Sequence, residues 1–582
     1  MPLQVWLPLN GSLKNQGARG DVTFTSVGSW TYESGKVTSS CMTIPYIPPQ
    51  GTYDSNITAD SKFKFTKNFS VSIWAKLPTD NGHINPYIAT EGTYDTNVKK
   101  LGWFIRVKGT SIIISVSSSY HEYTELVSGN WYLITFTIND NYLCSIYING
   151  IFKESFSLEQ IPEYGENARL IIGFLGFSSA GSLMAWNGSV NDFRLYDHCL
   201  SVKEVKELAK GLMVHYTLSR PCDNLLVNSN FGNGVTNWTA DGSTRSIVTE
   251  LTYGNVLQVK ATTANSGRVY NSVTGMFTSG ETYTYSFLAK ADSSVTVKPS
   301  RANVDNGTTV TLTTKWTRYS GTITATASSN TFSLYIGNTT STIQFAYVKL
   351  EKGNKATPWI PNSADTLYSA MGLNSTTESD VTGYGNDGTR VNITTRESDT
   401  PRYLSCIYFN GTGTRINLPT IIFIGKSNSY TFSWWAKSGS SGMFWGFGDG
   451  NRLNLYMATN LYWNTGDGSN NPFYSSGTTV IPATTYGNNV WHHYAITGDG
   501  TTVTLYVDGN KAGTAKTYKG ITGTQIYING WDTGTSYKFN GRMSDFRIYA
   551  TALSADDILE LYHTSASIDK NGNMHCYELV EV

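Results

Sequence analysis

Two glycine-punctuated runs, MFWGFGDGN (443–451) and NLYWNTGDGSNNPFY (460–474), set aromatic rings among Gly, Asn and Asp. Elsewhere in the chain most rings fall on alternating positions, the pattern of a strand with one face turned to a core. Here the alternation breaks. Trp445, Tyr462, Trp463 and Tyr474 are therefore candidates for stacking on the C–H face of a sugar ring while neighbouring polar groups bond its hydroxyls. Trp238 and Tyr270, in the middle of the chain, are further candidates of the same kind. Trp74, Trp131, Trp435 and Trp491 lie within alternating runs and are expected to face a core or a sheet.

Acid chemistry is the second possibility. Asp192 stands in SVNDFRLY and Asp545 in MSDFRIY, each two residues before an arginine, Arg194 or Arg547. The plain expectation is that each aspartate pairs with that arginine or caps a neighbouring turn. Hydrolysis of a glycosidic bond by the retaining route would need two carboxylates about 5–5.5 Å apart. The closely spaced acids do not supply them: Glu578 and Glu581 point to opposite sides of a strand, and Glu204 and Glu207 belong to a helix. The eight histidines do not cluster, and neither a nucleophile elbow nor a phosphate-binding loop is present. No enzyme is visible; one would require distant carboxylates to meet in a cleft.

The elements that must position these groups are strands. The 582 residues, at about 150 per domain, suggest roughly four domains. Charged residues make up only 15%, aromatic residues 13%, and Gly, Ser, Thr and Asn abound, a composition of pleated strands joined by polar turns. Lys plus Arg equals Asp plus Glu, 43 against 43, so the chain lacks the positive field that holds nucleic acid. No segment has the length and apolarity to insert in a membrane, and MPLQVWLPLNG lacks the basic and apolar regions of a signal peptide, so synthesis in a cytoplasm is expected. Six scattered cysteines without CxxC spacing predict neither disulfides nor zinc; Cys144, in register with Ile146 and Ile148, is expected to be buried.

The chain also repeats itself. GSVNDFRLYDHCLS (188–201) matches GRMSDFRIYATALS (541–554), and FSVSIWAK (69–76) matches YTFSWWAK (430–437). GNWYLITFTINDNYLCSIYING (129–150) matches NVWHHYAITGDGTTVTLYVDG (489–509). Landmarks in one order at nearly constant offset mark one large fold used twice, far beyond the period of a solenoid. Asn149-Gly150 and Asp508-Gly509 predict tight hairpins with positive φ. Ser201 with Glu204, and Ser554 with Asp557, read as capping boxes opening a short helix at the end of each copy.

The reading is an all-β protein of three β-sandwich or jelly-roll domains in tandem: residues 1–214, 215–362 and 363–563, followed by a hairpin tail at 564–582 built on Asn571-Gly572. On the NW or VW strand, the YING and YVDG hairpins and the DFRLY and DFRIY strands, the first and third resemble laminin-G-like, concanavalin A-like lectin/glucanase domains. The middle one, with Asn228, Phe231 and Trp238 in an NxxF…W opening, is similar to jelly-roll carbohydrate-binding modules. Its close, VKLEKGNKATPW, looks like that of such modules in bacteriophage tail and baseplate proteins. The opening VWLPLNGSLKNQG resembles tail proteins of phages infecting Gram-positive bacteria.

The glucanase branch carries ExDxE or ExDxxE on one strand, and this chain does not. Relatives often hold Ca²⁺ near the sandwich rim, which makes Asp192, Asp545, Asp380 and Asp387 candidates for calcium, the last two in the loop SDVTGYGNDG. The first copy offers only GARGD there, with Asp21. What the resemblance implies is a non-catalytic virion protein of tail fibre or baseplate that adsorbs to host bacterial surface carbohydrate. Its partners would be a cell-surface glycan and other virion proteins. Such fibres are homo-oligomers, commonly trimers, though no heptad repeat here specifies one. The alternative is a structural virion protein, a capsid fibre or baseplate spacer whose lectin-like domains touch only other virion proteins.

Overall fold

Alternating strands such as Thr502–Val507 bury Val503 and Leu505, and pairing them edge to edge builds stacked antiparallel sheets. The computed structural model describes the chain apart from residues 1–2, 11, 20, 29, 34–35, 39–40, 44–55, 61, 80–85, 95–98, 174–185, 264–266, 302–304, 337–339, 372, 374, 383, 394–395, 402, 404, 421–428, 439–441, 449–452, 458–459, 466–480, 483–486, 518–522, 535–536, 565–566, 569–573 and 576–582. Three sandwiches result, and the protein is all-β apart from short helices.

In the first sandwich one sheet runs from Ile151–Ser157 through Leu143–Ile148, Trp131–Ile138, Phe69–Lys76 and Ser189–Tyr196 to Cys41–Thr43 and Thr31–Glu33, with Leu3–Leu7 also on Ser189–Tyr196. It packs on a sheet centred on Lys99–Lys108 and Tyr87–Tyr94. Cys144 is buried in the core between them. The second large sandwich repeats this order with Asn510–Thr517, Thr502–Val507, Trp491–Gly498, Tyr430–Ser438 and Asn540–Tyr549.

Its edge holds a difference from the tandem order. Leu212–Tyr216 pairs with Asn540–Tyr549, His215 opposite Arg547, just as Leu3–Leu7 pairs with Ser189–Tyr196, Trp6 opposite Arg194. LMVHY is thus the counterpart of LQVWL, and the second large sandwich begins before the middle one. The boundary expected at 214 runs through this strand. The middle sandwich is an insertion between the first strand of the second large sandwich and the rest of it.

The turn chemistry holds. Asn149 and Gly150 have φ of 52° and 78°, Asp508 and Gly509 49° and 76°. A Cβ on Gly150 would stand 2.7 Å from the Ala209 Cβ, and one on Gly509 2.7 Å from Leu559 Cδ1, so each hairpin needs glycine to lie under the helix that closes its sandwich. Both helices, Val202–Ala209 and Ala555–His563, open with the expected capping box. In the tail, Ser567–Ile568 pairs with Met574–His575, while the expected turn at Asn571-Gly572 lies outside the described residues.

The two large sandwiches share a core. Leu3, Trp6, Trp74, Leu133 and Tyr196, on the outer face of the first, merge with Met213, Val214, Ile548 and Ala550 of the second. The middle sandwich is fastened to the second by Lys352–Glu397 at 3.0 Å and the Ser398 N–H on the Lys352 carbonyl at 3.1 Å.

Candidate functional site

Asp192 and Asp545 sit at the same bulge in both copies. Each strand slips register against its neighbour there, with φ of 52° and 53°, a left-handed conformation that aspartate tolerates better than most residues. The bulge turns the carboxylate back onto its own strand. Asp192 accepts from Arg194 Nε at 3.0 and 3.1 Å and from Trp6 Nε1 at 2.7 Å. Asp545 accepts from Arg547 Nε at 2.7 Å and from the Tyr403 hydroxyl at 3.2 Å, with His215 Nε2 at 2.9 Å. The arginine pairing expected from the i, i+2 spacing is therefore present twice. Burial opposes the charge of both guanidiniums, the adjoining carboxylates outweigh it, and both stay above the ordinary arginine range.

Donors of the chain itself occupy most oxygens of the calcium candidates. Asp380 accepts the N–H groups of His215 (3.0 Å), Thr382 (3.1 Å) and Asn386 (3.3 Å) and the Thr382 hydroxyl (2.6 Å). Burial pushes its carboxyl up to about 6 in spite of those donors. Asp387 accepts the Asp380 N–H at 2.8 Å. In the first copy this position belongs to Asn15, whose Oδ1 takes the N–H groups of Trp6 and Gly17, both at 2.9 Å; Asp21 is exposed beside Arg19 and Lys62. Oxygens surrounded by N–H and O–H donors do not fit Ca²⁺, which needs acceptors converging on a point. Among the described residues no three His, Cys, Asp or Glu side chains converge.

Two of the sugar-stacking candidates are core residues. Trp445 is 0% exposed and stacks on Phe432 at 4.1 Å and 10°. A register shift between Met443 and Trp445 lets Phe444 and Trp445, though consecutive, both enter the core. The broken alternation that suggested a binding loop is a bulge in a central strand. Trp238 is 1% exposed, packs on Phe231 and donates Nε1 to the Asn228 carbonyl at 3.1 Å. Tyr462 and Trp463 belong to strand Asn460–Thr465, with their side chains outside the described set, and Tyr474 lies outside the described residues.

Tyr270 differs: it is half-buried on the outer face of its sheet. Strand Gly267–Phe277 pairs with Ser329–Ile336 so that Arg268 lies opposite Tyr335. The Arg268 guanidinium spans both rings, 5.0 Å from the Tyr270 centroid and 5.7 Å from that of Tyr335, and donates to the Tyr335 hydroxyl at 3.2 Å and to Asp241 at 2.9 Å. A cation laid across two phenol rings holds them together as a ledge. Arg268 and Tyr335 are not among the candidates that the sequence offers. The signal was present in TFSLYI (331–336), where Phe332, Leu334 and Ile336 enter the core and Tyr335 is left outside. The ledge can stack on a flat apolar ring face while offering donors and acceptors at its rim.

A family model of the concanavalin A-like lectin/glucanases superfamily matches residues 50–206 and 410–559, and one of a carbohydrate binding domain matches residues 223–342. No curated protein matches the chain. Among solved structures, the chain is similar to domain 4 of AbnA, a GH43 extracellular arabinanase from Geobacillus stearothermophilus in complex with arabinotriose. Identity there is 20%, over 36% of this chain and 98% of that one, with a TM-score of 0.28. It is also similar to the CBM22-1 xylan-binding domain of Paenibacillus barcinonensis Xyn10C, at 20% identity over 24% and 99%, TM-score 0.21. A third likeness is to the receptor binding domain of botulinum neurotoxin type G, at 15% identity over 47% and 76%, TM-score 0.28.

Proposed function

The chain belongs to the concanavalin A-like lectin/glucanases superfamily, and we propose that it is a non-catalytic glycan-binding protein whose middle sandwich engages sugar on the Tyr270–Arg268–Tyr335 ledge. That ledge is the observation that carries the reading. It lies within residues 223–342, matched as a carbohydrate binding domain, and presents two held rings beside hydrogen-bonding groups. Binding without bond cleavage is further supported by the commitment of Asp192, Asp545 and Asp380 to arginine or backbone donors, which leaves them no role as acid or nucleophile.

The setting we propose is a phage tail fibre or baseplate, adsorbing to carbohydrate on a bacterial surface. It rests on the resemblance of VWLPLNGSLKNQG and VKLEKGNKATPW to tail-protein sequences. A homo-oligomer would multiply such weak sites into useful avidity. The test is a glycan array of bacterial wall and capsule sugars probed with the whole chain and with Tyr270→Ala and Tyr335→Ala. The expected result is a defined set of bound sugars lost in both variants. A flat array would overturn the reading in favour of a structural spacer.

A further inference from the structure

A second site lies where the two large sandwiches meet. A cleft of about 710 Å³ opens between them, a volume in the range of small-molecule sites. The first sandwich contributes Trp74 and the half-buried Trp131, the second Ser429 and Ser554, and three lysines reach it, Lys36, Lys206 and Lys210.

Two of those lysines are neutralised. Lys206 pairs with Asp557 at 3.0 Å, and Lys210 pairs with Glu207 and, at 3.1 Å, with Glu560. The acids at the rim are engaged too: Asp557 caps its helix at the Ser554 N–H, and Asp499 accepts from Thr501 and Thr502. Lys36 is different. It is 8% exposed, its Nζ donates to the Ala550 carbonyl at 2.5 Å, and it stands 5.5 Å over the Trp74 ring. Among the described residues no carboxylate faces it. An ammonium withdrawn from water without a counter-ion is costly, and a carbonyl with a ring face offsets only part of that cost.

We propose that this cleft binds a sugar carrying an anionic group, carboxylate or phosphate, with the Lys36 ammonium as counter-ion and the Trp131 indole against the sugar ring. The charge complement excludes a cationic ligand, and a neutral one would leave Lys36 as it is. The site exists only because the two copies pack together, since Lys36 and Trp131 come from one and Ala550 and Ser554 from the other. It is separate from the ledge of the middle sandwich and stands or falls independently of it.

Titration calorimetry of the whole chain tests this with four probes: a glucuronic acid oligosaccharide, glucose 6-phosphate, a neutral glucose oligosaccharide and inorganic phosphate. The first two are expected to bind at least tenfold more tightly than the last two. Lys36→Met should abolish that preference, and Trp131→Ala should weaken both acidic probes at least tenfold. In both variants the array signal assigned to the ledge should persist, which separates failure of this site from failure of the other. Equal binding of acidic and neutral sugars, inorganic phosphate binding as tightly as the sugar phosphate, no binding of any probe, or an unchanged preference in Lys36→Met would overturn the proposal. The melting profile of each variant shows that loss of binding is not loss of fold.

Discussion

The guanidinium of Arg194, in the first sandwich, donates at 2.9 Å to the hydroxyl of Tyr384, which comes from the second. The Tyr384 ring stands edge-on to Trp6 at 5.4 Å, so one tyrosine closes the Asp192–Arg194–Trp6 cluster from across the interface. In the second sandwich Tyr403, from its own chain segment, donates to Asp545 and accepts from Arg547 Nη2 at 3.3 Å. The same bulge is completed internally in one copy and by its neighbour in the other.

Tyr384→Phe should therefore loosen the attachment of the two large sandwiches. It leaves a buried guanidinium N–H without its acceptor, at a cost of about 1–3 kcal/mol. Differential scanning calorimetry should show the first sandwich melting earlier, with the middle one unmoved. Coincident, unshifted transitions would contradict this.

Asp192→Ala should cost more, about 3–5 kcal/mol, because it strands the buried Arg194 charge and frees Trp6 Nε1. The double variant Asp192→Ala/Arg194→Met should recover part of the loss. Urea denaturation followed by tryptophan fluorescence measures both, and a double variant no better than the single one would show that the charge is not what matters.

Asp380→Asn should be tolerated, since Asn15 performs the same backbone bonding in the first copy. The two proteins should differ in pH response. With the Asp380 carboxyl raised to about 6, the folded state binds a proton more readily than the unfolded chain. The resulting stability is present in full below the ordinary aspartate range and is lost as pH rises through 6. Wild-type stability relative to Asp380→Asn should thus improve by up to about 3 kcal/mol between pH 7 and pH 4. A constant difference across that range would count against a raised carboxyl.

For Lys36 the sign is opposite. Burial lowers its ammonium to about 8, so between pH 8 and the ordinary lysine range near 10.5 the unfolded chain binds more protons and stability rises with pH. Below pH 8 the full cost, about 3 kcal/mol, is present. Lys36→Met should be more stable than wild type at pH 7, with the advantage fading toward pH 10. Lys206, Lys210, Asp499 and Asp557 around the same cleft are common to both proteins, so the comparison bears on Lys36. A pH-independent difference would show that Lys36 stays charged throughout.

Chelation should change nothing. With the carboxylates of Asp192, Asp545 and Asp380 held by donors of this chain and one oxygen of Asp387 taken by the Asp380 N–H, melting temperature should be the same in excess EDTA and in millimolar calcium. A calcium-dependent rise of several degrees would point to a cation site elsewhere.

Local rules determined much of this protein from its sequence. The duplication, the hairpins at Asn149-Gly150 and Asp508-Gly509, the helix starts at Ser201 and Ser554, buried Cys144 and the Asp–Arg pairs all depend on residues near each other in the chain. Such contacts follow from strand and helix periods and from turn geometry, which a few neighbouring side chains specify. Trp445 departs from the sequence expectation because a bulge shifts the period by one residue, and the cross-strand register that creates a bulge is not written in the bulged strand alone. Only the tertiary structure decided that Leu212–Tyr216 opens the second large sandwich, that Tyr384 reaches Arg194, and that Arg268 joins Tyr270 to Tyr335. It also decided that Lys36 loses water against Trp74 and Ala550, a contact spanning 514 positions of the chain. Those relations come from how whole faces bury their apolar surface against one another, a choice made by the sum of many contacts and legible in none of them singly.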